Sequence, residues 1–386
     1  MIQAPFPGGQ ILNKYSLKTA IPFSVLFLCV CIGLPLYLYH KGLSLVSAGV
    51  FVFMFVSTLL SITAGYHRLF AHRSYQASPI LKALFLFFGA GAFQESCLKW
   101  SSEHRVHHRF VDTDKDPYSI KKGFFWAHMG WMLSKEDPKA PHPKDLKSDP
   151  LVRFQHRYWF PIGMISGFGL PLAIGWSLGD PWGGLFFGGP VRIFFAHHVT
   201  FFINSIAHMF GSQPYSTEGS ARDSWWLAFF TFGEGYHNFH HTYPSDYRNG
   251  IRFYHWDPSK WLIQRLRMLR LTWDLKRTPE EVIVRKKVQN QFVHISLPKI
   301  QELEALRQKL YAELMARLDE FSQNKKAWIA TKREMATQKI TKAEHELEHE
   351  LARLKEKIEL NRKSYQESYD NWKQFLHYVQ KQRMAA

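Results

Sequence analysis

The chain has 386 residues, a formal net charge of +17 and an aromatic content of 16%. Its three cysteines form neither a disulfide framework nor a CxxC pair, so any metal ion must be held by other side chains. No nucleic-acid-binding motif accompanies the positive charge, which therefore indicates loops facing anionic lipid, an acidic redox partner or a phosphate-bearing substrate.

Four apolar stretches predict membrane-spanning helices. Residues 21–39 and 43–63 carry no charge and, at a rise of about 1.5 Å per residue, are long enough to cross a bilayer. A second pair is predicted at residues 158–178 and 183–203, where only Arg192 is charged. The polar link within each pair is short, so the sequence predicts two antiparallel helical hairpins.

Basic residues are distributed unevenly around these predicted spans. Lys and Arg crowd the segments between and after the two hairpins, whereas the short links contain only Lys41. The positive-inside rule therefore predicts that both termini face the cytosol. Residues 80–98 are apolar in the centre but include Lys82 and Glu95, so we expect this segment to lie in the membrane interface without crossing.

The C-terminal part of the chain differs in composition from the rest, which divides the sequence into a membrane domain at residues 1–297 and an extension at residues 298–386. In the extension, apolar residues recur at spacings of three and four among many Lys and Glu residues. This pattern predicts long amphipathic helices, either a coiled coil or a helical hairpin. Because the extension contains no catalytic motif, its expected role is packing, self-association or partner docking.

Histidines are concentrated in three short motifs on the predicted cytosolic side, one HxxxxH and two copies of HxxHH. Residues i, i+3 and i+4 of a helix project towards one side, so each HxxHH motif can direct three imidazoles at one place. Eight imidazoles exceed what one metal ion with four to six ligands can use, which indicates two ions. The eight histidines are His67, His72, His104, His107, His108, His237, His240 and His241.

Other polar residues carry a less specific signal. His208 follows the last predicted span, four residues after Asn204, and the sequence leaves open whether it is a ligand. His197 lies within that span, where it is either functional or hydrogen-bonded to a neighbouring helix. The string Asp112-Thr-Asp-Lys-Asp116 begins like a calcium-binding loop, but Pro117 stands where such a loop needs glycine, so we expect a turn.

In chain order, the motifs HxxxxH, HxxHH, NSxAH and HxxHH among four predicted spans resemble those of the membrane fatty-acyl desaturases of the acyl-CoA delta-9 type. The resemblance covers roughly residues 22–276 and includes the strings Thr63-Ala-Gly-Tyr-His67-Arg and Gly233-Glu-Gly-Tyr-His237. The stretch Tyr247-Arg-Asn-Gly-Ile-Arg-Phe-Tyr254 is especially similar to bacterial and cyanobacterial members. The resemblance implies an all-α integral membrane fold, with four spanning helices in two hairpins and a cytosolic helical cap that holds a di-metal site.

The resemblance also implies how the ligands are divided between two iron ions. The positions that hold one iron correspond here to His67, His72, His104, His108 and His240. Those that hold the other correspond to His107, His208, His237 and His241, and Asn204 would contact this second iron through a water molecule. His128 lies within a further family string, Gly123-Phe-Phe-Trp-Ala-His128-Met-Gly-Trp131, but matches no ligand position.

A desaturase of this type uses its two non-haem iron ions, dioxygen and two electrons to place a cis double bond in a saturated long-chain acyl group. The resemblance therefore implies delta-9 desaturation of an acyl chain, with electrons from an external donor such as a ferredoxin or a cytochrome b5. Both donors are usually acidic proteins, which suits the basic cytosolic face. The expected location is the bacterial inner membrane, with the active site on the cytosolic side.

Positions near the substrate match the family only in part. Trp100 and Glu103 correspond to family residues near the substrate, and Phe201 stands where animal members have a tunnel tryptophan. Lys135 begins a Lys-Glu pair where those members have Arg-Lys, and Ser102 stands where they have a basic residue. An acyl-CoA substrate is expected, with a lipid-linked or carrier-protein-linked acyl group as the alternative.

Two other classes of protein share parts of the pattern. A membrane hydroxylase or ketolase would use the same iron chemistry and return oxygen to the substrate. A histidine-rich metal transporter would place ionisable residues within the spans, whereas the histidine motifs lie outside them. Product analysis separates the first alternative from a desaturase, and metal content separates the second.

Overall fold

The structure is a computed structural model that describes residues 16–134, 140–295, 297, 301–337 and 343–385. Its contacts divide the chain into two units. The first comprises residues 1–213 and 217–277, and the second comprises residues 214–216 and 278–386. Regular structure in the described part of both units is almost entirely helical, with one two-stranded sheet.

Four helices of the first unit are long and apolar enough to span a membrane: Leu17–Lys41, Leu45–Ala71, Pro150–Ser177 and Pro181–His208. We call them the first to fourth spanning helices. They confirm the predicted architecture of four spans in two hairpins. The second and fourth helices continue past their apolar segments to include His67 and His208, because helical hydrogen bonding does not depend on the surrounding lipid.

The links within the two hairpins are fastened to each other. Gly42 has a φ of 70°, which permits the turn between the first two helices. Ser44 caps the second helix by accepting a hydrogen bond from the backbone N–H of Ser47, and Asp180 caps the fourth by accepting one from Gly183. The hydroxyls of Ser44 and Ser47 also donate to the Asp180 carboxylate, the latter at 2.6 Å.

Arg192 lies inside the fourth spanning helix and is fully buried. Its guanidinium donates to three carbonyl oxygens, those of Gly188 at 2.9 Å, Gly91 at 2.6 Å and Gly167 at 3.1 Å. These hydrogen bonds satisfy donors whose burial would otherwise be costly. Because two of the carbonyls belong to other segments, Arg192 also ties the fourth helix to the third and to the turn after residue 90.

The segment that we expect in the membrane interface forms a short helix and a turn. The helix Pro79–Ala90 has 12 residues, about 18 Å at a rise of about 1.5 Å per residue, which is short of the roughly 30 Å hydrocarbon core. In the turn that follows, Phe93 and Glu95 have φ values of 54° and 70°. The chain therefore reaches the next helix, Cys97–Phe110, without a segment long enough to cross the membrane.

Short helices form a cap on the spanning helices. They are Cys97–Phe110, Ile120–Lys122, Trp126–Gly130, Trp131–Leu133, Lys144–Ser148, Trp225–Phe230, His237–Thr242 and Pro258–Met268. Two short strands, Gln76–Ala77 and Thr272–Trp273, pair antiparallel with Gln76 opposite Trp273. A buried cluster that includes Tyr66, Leu98 and Ile263 joins the second spanning helix to the cap.

The second unit is built from the helices Glu280–His294, Gln301–Thr337 and Ala343–Ala385. The two long helices run antiparallel, since Tyr311 contacts Trp372 and Phe321 contacts Tyr365. They thus form a helical hairpin, one of the two predicted forms. Apart from residues 214–216, the unit begins at Thr278, whereas the sequence predicted a domain boundary at 298. The helix Glu280–His294 belongs to this unit because its Val284 and Val288 are buried in the same apolar core as the hairpin.

Candidate di-metal centre

The structure brings nine histidines of the first unit together in two groups. Within each group, one ring nitrogen from every member lies within 4.8 Å of those of the others. We call them the five-histidine group and the four-histidine group. The first consists of His67, His72, His104, His108 and His240, and the second consists of His107, His208, His237 and His241.

Each HxxHH motif is divided between the two groups by helix geometry. In the helix Cys97–Phe110, His104 and His108 point to the five-histidine group, and His107 points to the four-histidine group. The helix His237–Thr242 makes the complementary division, with His240 apart from the other two histidines. Side chains at i and i+4 differ by about 40° around a helix, whereas those at i+3 and i+4 differ by about 100°. One short helix can therefore face two neighbouring metal positions.

Within each group, Nε2 atoms of different histidines lie at hydrogen-bonding distance from one another. Neutral imidazoles that carry their proton on Nδ1 have no Nε2–H to donate across these short distances. In the five-histidine group, Nε2 of His240 lies 2.9 Å from that of His67 and 3.0 Å from that of His108. In the four-histidine group, Nε2 of His237 lies 3.1 Å from that of His208. Nε2 of His107 is buried and has no hydrogen-bond partner among the described residues. Convergent imidazole nitrogens of this kind fit a metal ion at the centre of each group.

Outer residues orient three of these imidazoles through their other ring nitrogen. Nδ1 of His107 lies 2.9 Å from Asp116, and Nδ1 of His67 lies 2.9 Å from Glu234. Nδ1 of His208 lies 2.7 Å from the Ser220 hydroxyl, which in turn donates to Asp112 at 2.7 Å. An Nδ1–H that donates outward leaves the Nε2 lone pair directed into the group, the tautomer that binds a metal.

These orienting residues were not identified from the sequence. The segment from Asp112 to Asp116 is predicted as a turn, and the structure shows that its two end carboxylates support histidines of the four-histidine group. The sequence does contain one signal for such orienting residues, a carboxylate a few residues from a candidate ligand. Asp112 and Asp116 follow His108, and Glu234 precedes His237 by three positions.

Glu234 also takes part in a buried charge network. It pairs with Arg68 at 2.9 Å, and Arg68 pairs with Asp257 at 3.0 Å. Burial alone would raise the pKa of the Glu234 carboxyl, but the positive charge that His67 would carry if protonated, the charge of Arg68 and the hydrogen bonds from both side chains hold that pKa below its usual value. Glu234 is therefore a carboxylate at neutral pH, able to accept the Nδ1–H of His67.

The histidines themselves are held in the neutral form. Burial, followed by the positive charge that neighbouring histidines would carry, lowers the pKa of the grouped histidines of the cap well below 6.5. At neutral pH these imidazoles consequently present free lone pairs, as metal binding requires. The histidines concerned are His72, His104, His108, His237, His240 and His241.

Replacing Asp116 with asparagine is expected to weaken metal binding by the four-histidine group about 10- to 100-fold. The Asp116 carboxylate accepts hydrogen bonds from His107 and from the backbone N–H groups of Asp112 and Tyr118, and an amide cannot accept all three. Metal retained per chain during titration with a chelator measures the effect. Asp114→Asn, an exposed change in the same turn, is the control, and equal metal retention by both variants would contradict the role of Asp116.

A cavity of about 1020 Å³ lies beside the five-histidine group. His67, His104 and Asn204 line it, together with polar residues such as Gln94 of the turn after residue 90 and Lys99 of the cap. Its remaining lining is mainly apolar and comes largely from the spanning helices and the turn after residue 90, including Ile62, Phe93, Phe168, Ile193 and Phe201. An apolar chain in this cavity would lie against the histidine group.

The structure places most of the residues predicted to contact substrate around this cavity. Trp100, Glu103 and Phe201 line it, and the Trp100 ring stacks on His104 with ring centroids 4.9 Å apart. Lys135 lies outside the described residues. His128 belongs to neither histidine group and instead contacts Ser205 and His198. The assignment of individual metal ligands and substrate contacts stays a prediction.

Fold and site together define an integral membrane protein whose two histidine groups, beside an apolar cavity, are suited to hold two metal ions. The model of the fatty acid desaturase family matches residues 44–270, which is more than half of the chain. The chain therefore belongs to the fatty acid desaturase family, as the resemblance of its motifs predicted.

Individual relatives agree with this membership. The chain is 46% identical over 234 residues to a probable acyl-CoA desaturase of Schizosaccharomyces pombe, covering 60% of the chain and 49% of the relative. It is 41% identical over 244 residues to acyl-CoA desaturase 1 of Saccharomyces cerevisiae, covering 62% and 48%. It is 35% identical over 276 residues to the delta(9)-fatty-acid desaturase fat-7 of Caenorhabditis elegans, covering 68% and 80%. The chain thus spans about half the length of the two yeast relatives.

Proposed function

We propose that the protein is a dioxygen-dependent di-iron desaturase that introduces a cis double bond, at the delta-9 position, into a saturated long-chain acyl-CoA. Family membership and the names of the relatives support the reaction class. The observation that carries the proposal is the cavity, because its apolar wall runs past His67 and His104 of the five-histidine group. An acyl chain bound there has methylene groups beside the proposed metal position.

Two iron ions, when bound, would supply the activation of dioxygen that removal of unactivated methylene hydrogens requires. The reaction balances when a –CH₂–CH₂– unit, dioxygen, two electrons and two protons become a –CH=CH– unit and two water molecules. Under this proposal the nine histidines hold the irons, and Asn204 contacts the second iron through water. The remaining task of the protein is to place one pair of methylenes next to that site and to exclude others.

Hydrogen bonds fix the wall of the cavity where it passes the histidines. Gln94 donates to the Thr200 hydroxyl at 2.9 Å and accepts from the indole N–H of Trp100 at 3.3 Å. Because Trp100 also stacks on His104, the wall and the five-histidine group are held in one arrangement. This rigidity would keep the position of the acyl chain constant relative to the metal position.

The acyl carrier and the electron donor are also part of the proposal. The polar lining of the cavity includes Lys99 and Glu103, suited to a polar head group such as CoA, with another acyl carrier or a membrane lipid as the alternative. A separate ferredoxin or cytochrome b5-type protein would supply electrons. The positive-inside rule supports a cytosolic active site and cytosolic termini. The bacterial inner membrane, and oligomerisation through the C-terminal helices, stay predictions from the sequence.

Expression in a host without this activity tests the proposal, with new monounsaturated fatty acids as the expected product. Hydroxylated products without alkenes would reject desaturation in favour of the hydroxylase alternative.

Ile193→Trp is expected to shift the product towards shorter acyl chains, because Ile193 lines the cavity about 16 Å along the fourth helix from Asn204. Phe195→Trp is the matched control, since Phe195 is exposed on the same helix and does not line the cavity. Equal chain-length profiles would contradict the assignment of the cavity to the acyl chain.

A further inference from the structure

The nine grouped histidines are not equally shielded from solvent. Six are buried, with exposed fractions of 8% or less. The other three, His72, His108 and His241, are only partly buried. The centre is therefore accessible along one edge.

These three histidines form one continuous edge that touches both groups. The rings of His72 and His108 have centroids 4.5 Å apart. Those of His108 and His241 lie 4.2 Å apart at an interplanar angle of 13°, one ring from each group stacked on the other. We call this surface the exposed histidine edge.

The exposed histidine edge is distinct from the acyl cavity. Of the five-histidine group, the cavity is lined by His67 and His104, and none of the three histidines of the edge lines it. A substrate in the cavity consequently leaves the edge free for a different ligand.

Positive charge flanks the exposed histidine edge. Four histidines of the five-histidine group, those of the HxxxxH motif and of the first HxxHH motif, are each followed directly by an arginine. These arginines are Arg68, Arg73, Arg105 and Arg109. Arg68 is buried with Glu234 and Asp257, and Arg105 makes two hydrogen bonds to Asp145 at 2.8 and 2.9 Å.

The other two arginines of this series are exposed, beside the two partly buried histidines His72 and His108. Arg73 reaches Asp145 only at 3.8 Å, and this carboxylate already binds Arg105. Arg109 lies over the ring of Phe110 at 5.2 Å. Lys276 adds a further cation, since its ammonium donates to the backbone oxygen of Arg73 at 2.8 Å. Asp112 is the carboxylate nearest in sequence to Arg109 and is engaged by Ser220, and Asp274 is the one nearest to Lys276. Lys115, whose ammonium lies over the same Phe110 ring at 5.3 Å, adds to the positive charge beside Arg109.

We propose that the exposed histidine edge, flanked by Arg73 and Arg109, is the docking and electron-entry surface for a small acidic one-electron carrier. The inference rests on the proposed function, in which each double bond consumes two electrons from outside the chain. Two reduced carriers would each give up one electron in turn and leave oxidised. A basic surface attracts an acidic carrier. A carrier docked on the partly exposed rings also comes closer to both metal positions than one docked where protein covers the ligands.

The test uses the full-length, iron-loaded protein in lipid nanodiscs. Its probes are two acidic carriers, the soluble haem domain of a cytochrome b5 and a [2Fe–2S] ferredoxin, each reduced beforehand and mixed with the protein without oxygen. Reoxidation of the carrier, followed by absorbance in a stopped-flow instrument, gives the second-order rate. Association of the same carriers, measured by biolayer interferometry, is a readout independent of turnover.

Arg109→Glu is expected to lower both rates at least about tenfold at low ionic strength, with the difference fading as salt is added. Arg109→Lys should retain most of the wild-type rate. Lys41→Glu makes the same change of charge at the far end of the spanning helices, and its rates should equal those of the wild type. Unchanged iron content in each variant separates docking from loss of the centre.

Three results would overturn the docking proposal. They are equal rates for Arg109→Glu and Lys41→Glu, a wild-type rate that does not depend on salt, and failure of both acidic carriers to reduce the wild type. Desaturation of an acyl-CoA with dithionite as the electron source tests the proposed function separately. No product in that assay rejects the reaction, whereas product in that assay together with carrier rates that Arg109→Glu leaves unchanged rejects only the docking surface.

Discussion

His240→Ala is expected to reduce the iron content from about two ions per chain to about one and to lower product formation by at least about 100-fold. His240 is central to the five-histidine group, with its Nε2 2.9 Å from that of His67 and 3.0 Å from that of His108. Its removal leaves the remaining imidazoles without the ligand that lies between them. Metal analysis of the purified protein and fatty-acid profiling of the expressing cells measure the two effects.

His128→Ala is the matched control for this prediction. His128 is also buried and lies in the cap, but it belongs to neither histidine group. The control should keep about two ions per chain, as the two-metal interpretation requires. If His240→Ala retained both ions, or if His128→Ala lost one, the assignment of ligands to the two groups would be wrong.

Glu234→Gln is expected to destabilise the protein by about 3 kcal/mol and to weaken iron binding. The glutamate is buried between His67, Arg68 and Asn249, so its charge compensates Arg68 while it orients the imidazole of His67. The amide loses the charge and turns two N–H groups towards neighbours that are themselves donors. Thermal unfolding in detergent with and without bound iron separates the structural effect from the effect on metal affinity.

The control for Glu234→Gln is Asp114→Asn, which likewise converts a carboxylate to an amide, at an exposed position of the first unit. It should shift stability by no more than about 0.5 kcal/mol. A Glu234→Gln variant with the unfolding temperature and iron content of this control would show that the network around Arg68 is not needed for the site.

Several features of this protein were determined by the sequence itself. The four spans were predictable because transfer into lipid depends on a long apolar segment, a local property of the chain. The histidine motifs were recognisable because ligand type and spacing within a helix are also local. The long helices of the C-terminal unit followed from apolar spacing, although the choice between a coiled coil and a hairpin did not.

Only the tertiary structure decided how these parts combine. The contact between Arg68 and Glu234 joins residues 166 positions apart, and the one between His240 and His108 joins residues 132 positions apart. No local pattern specifies such partners, because they depend on how the spanning helices and the cap pack.

The same reason explains the orienting residues and the open edge of the centre. Asp116 and Glu234 became visible as supports for His107 and His67 only once their distances were known. Spacing along a helix determined that histidines of one motif point in similar directions, and packing determined which of them share a group. Burial by surrounding elements, a property of the folded chain alone, then left His72, His108 and His241 as the accessible side.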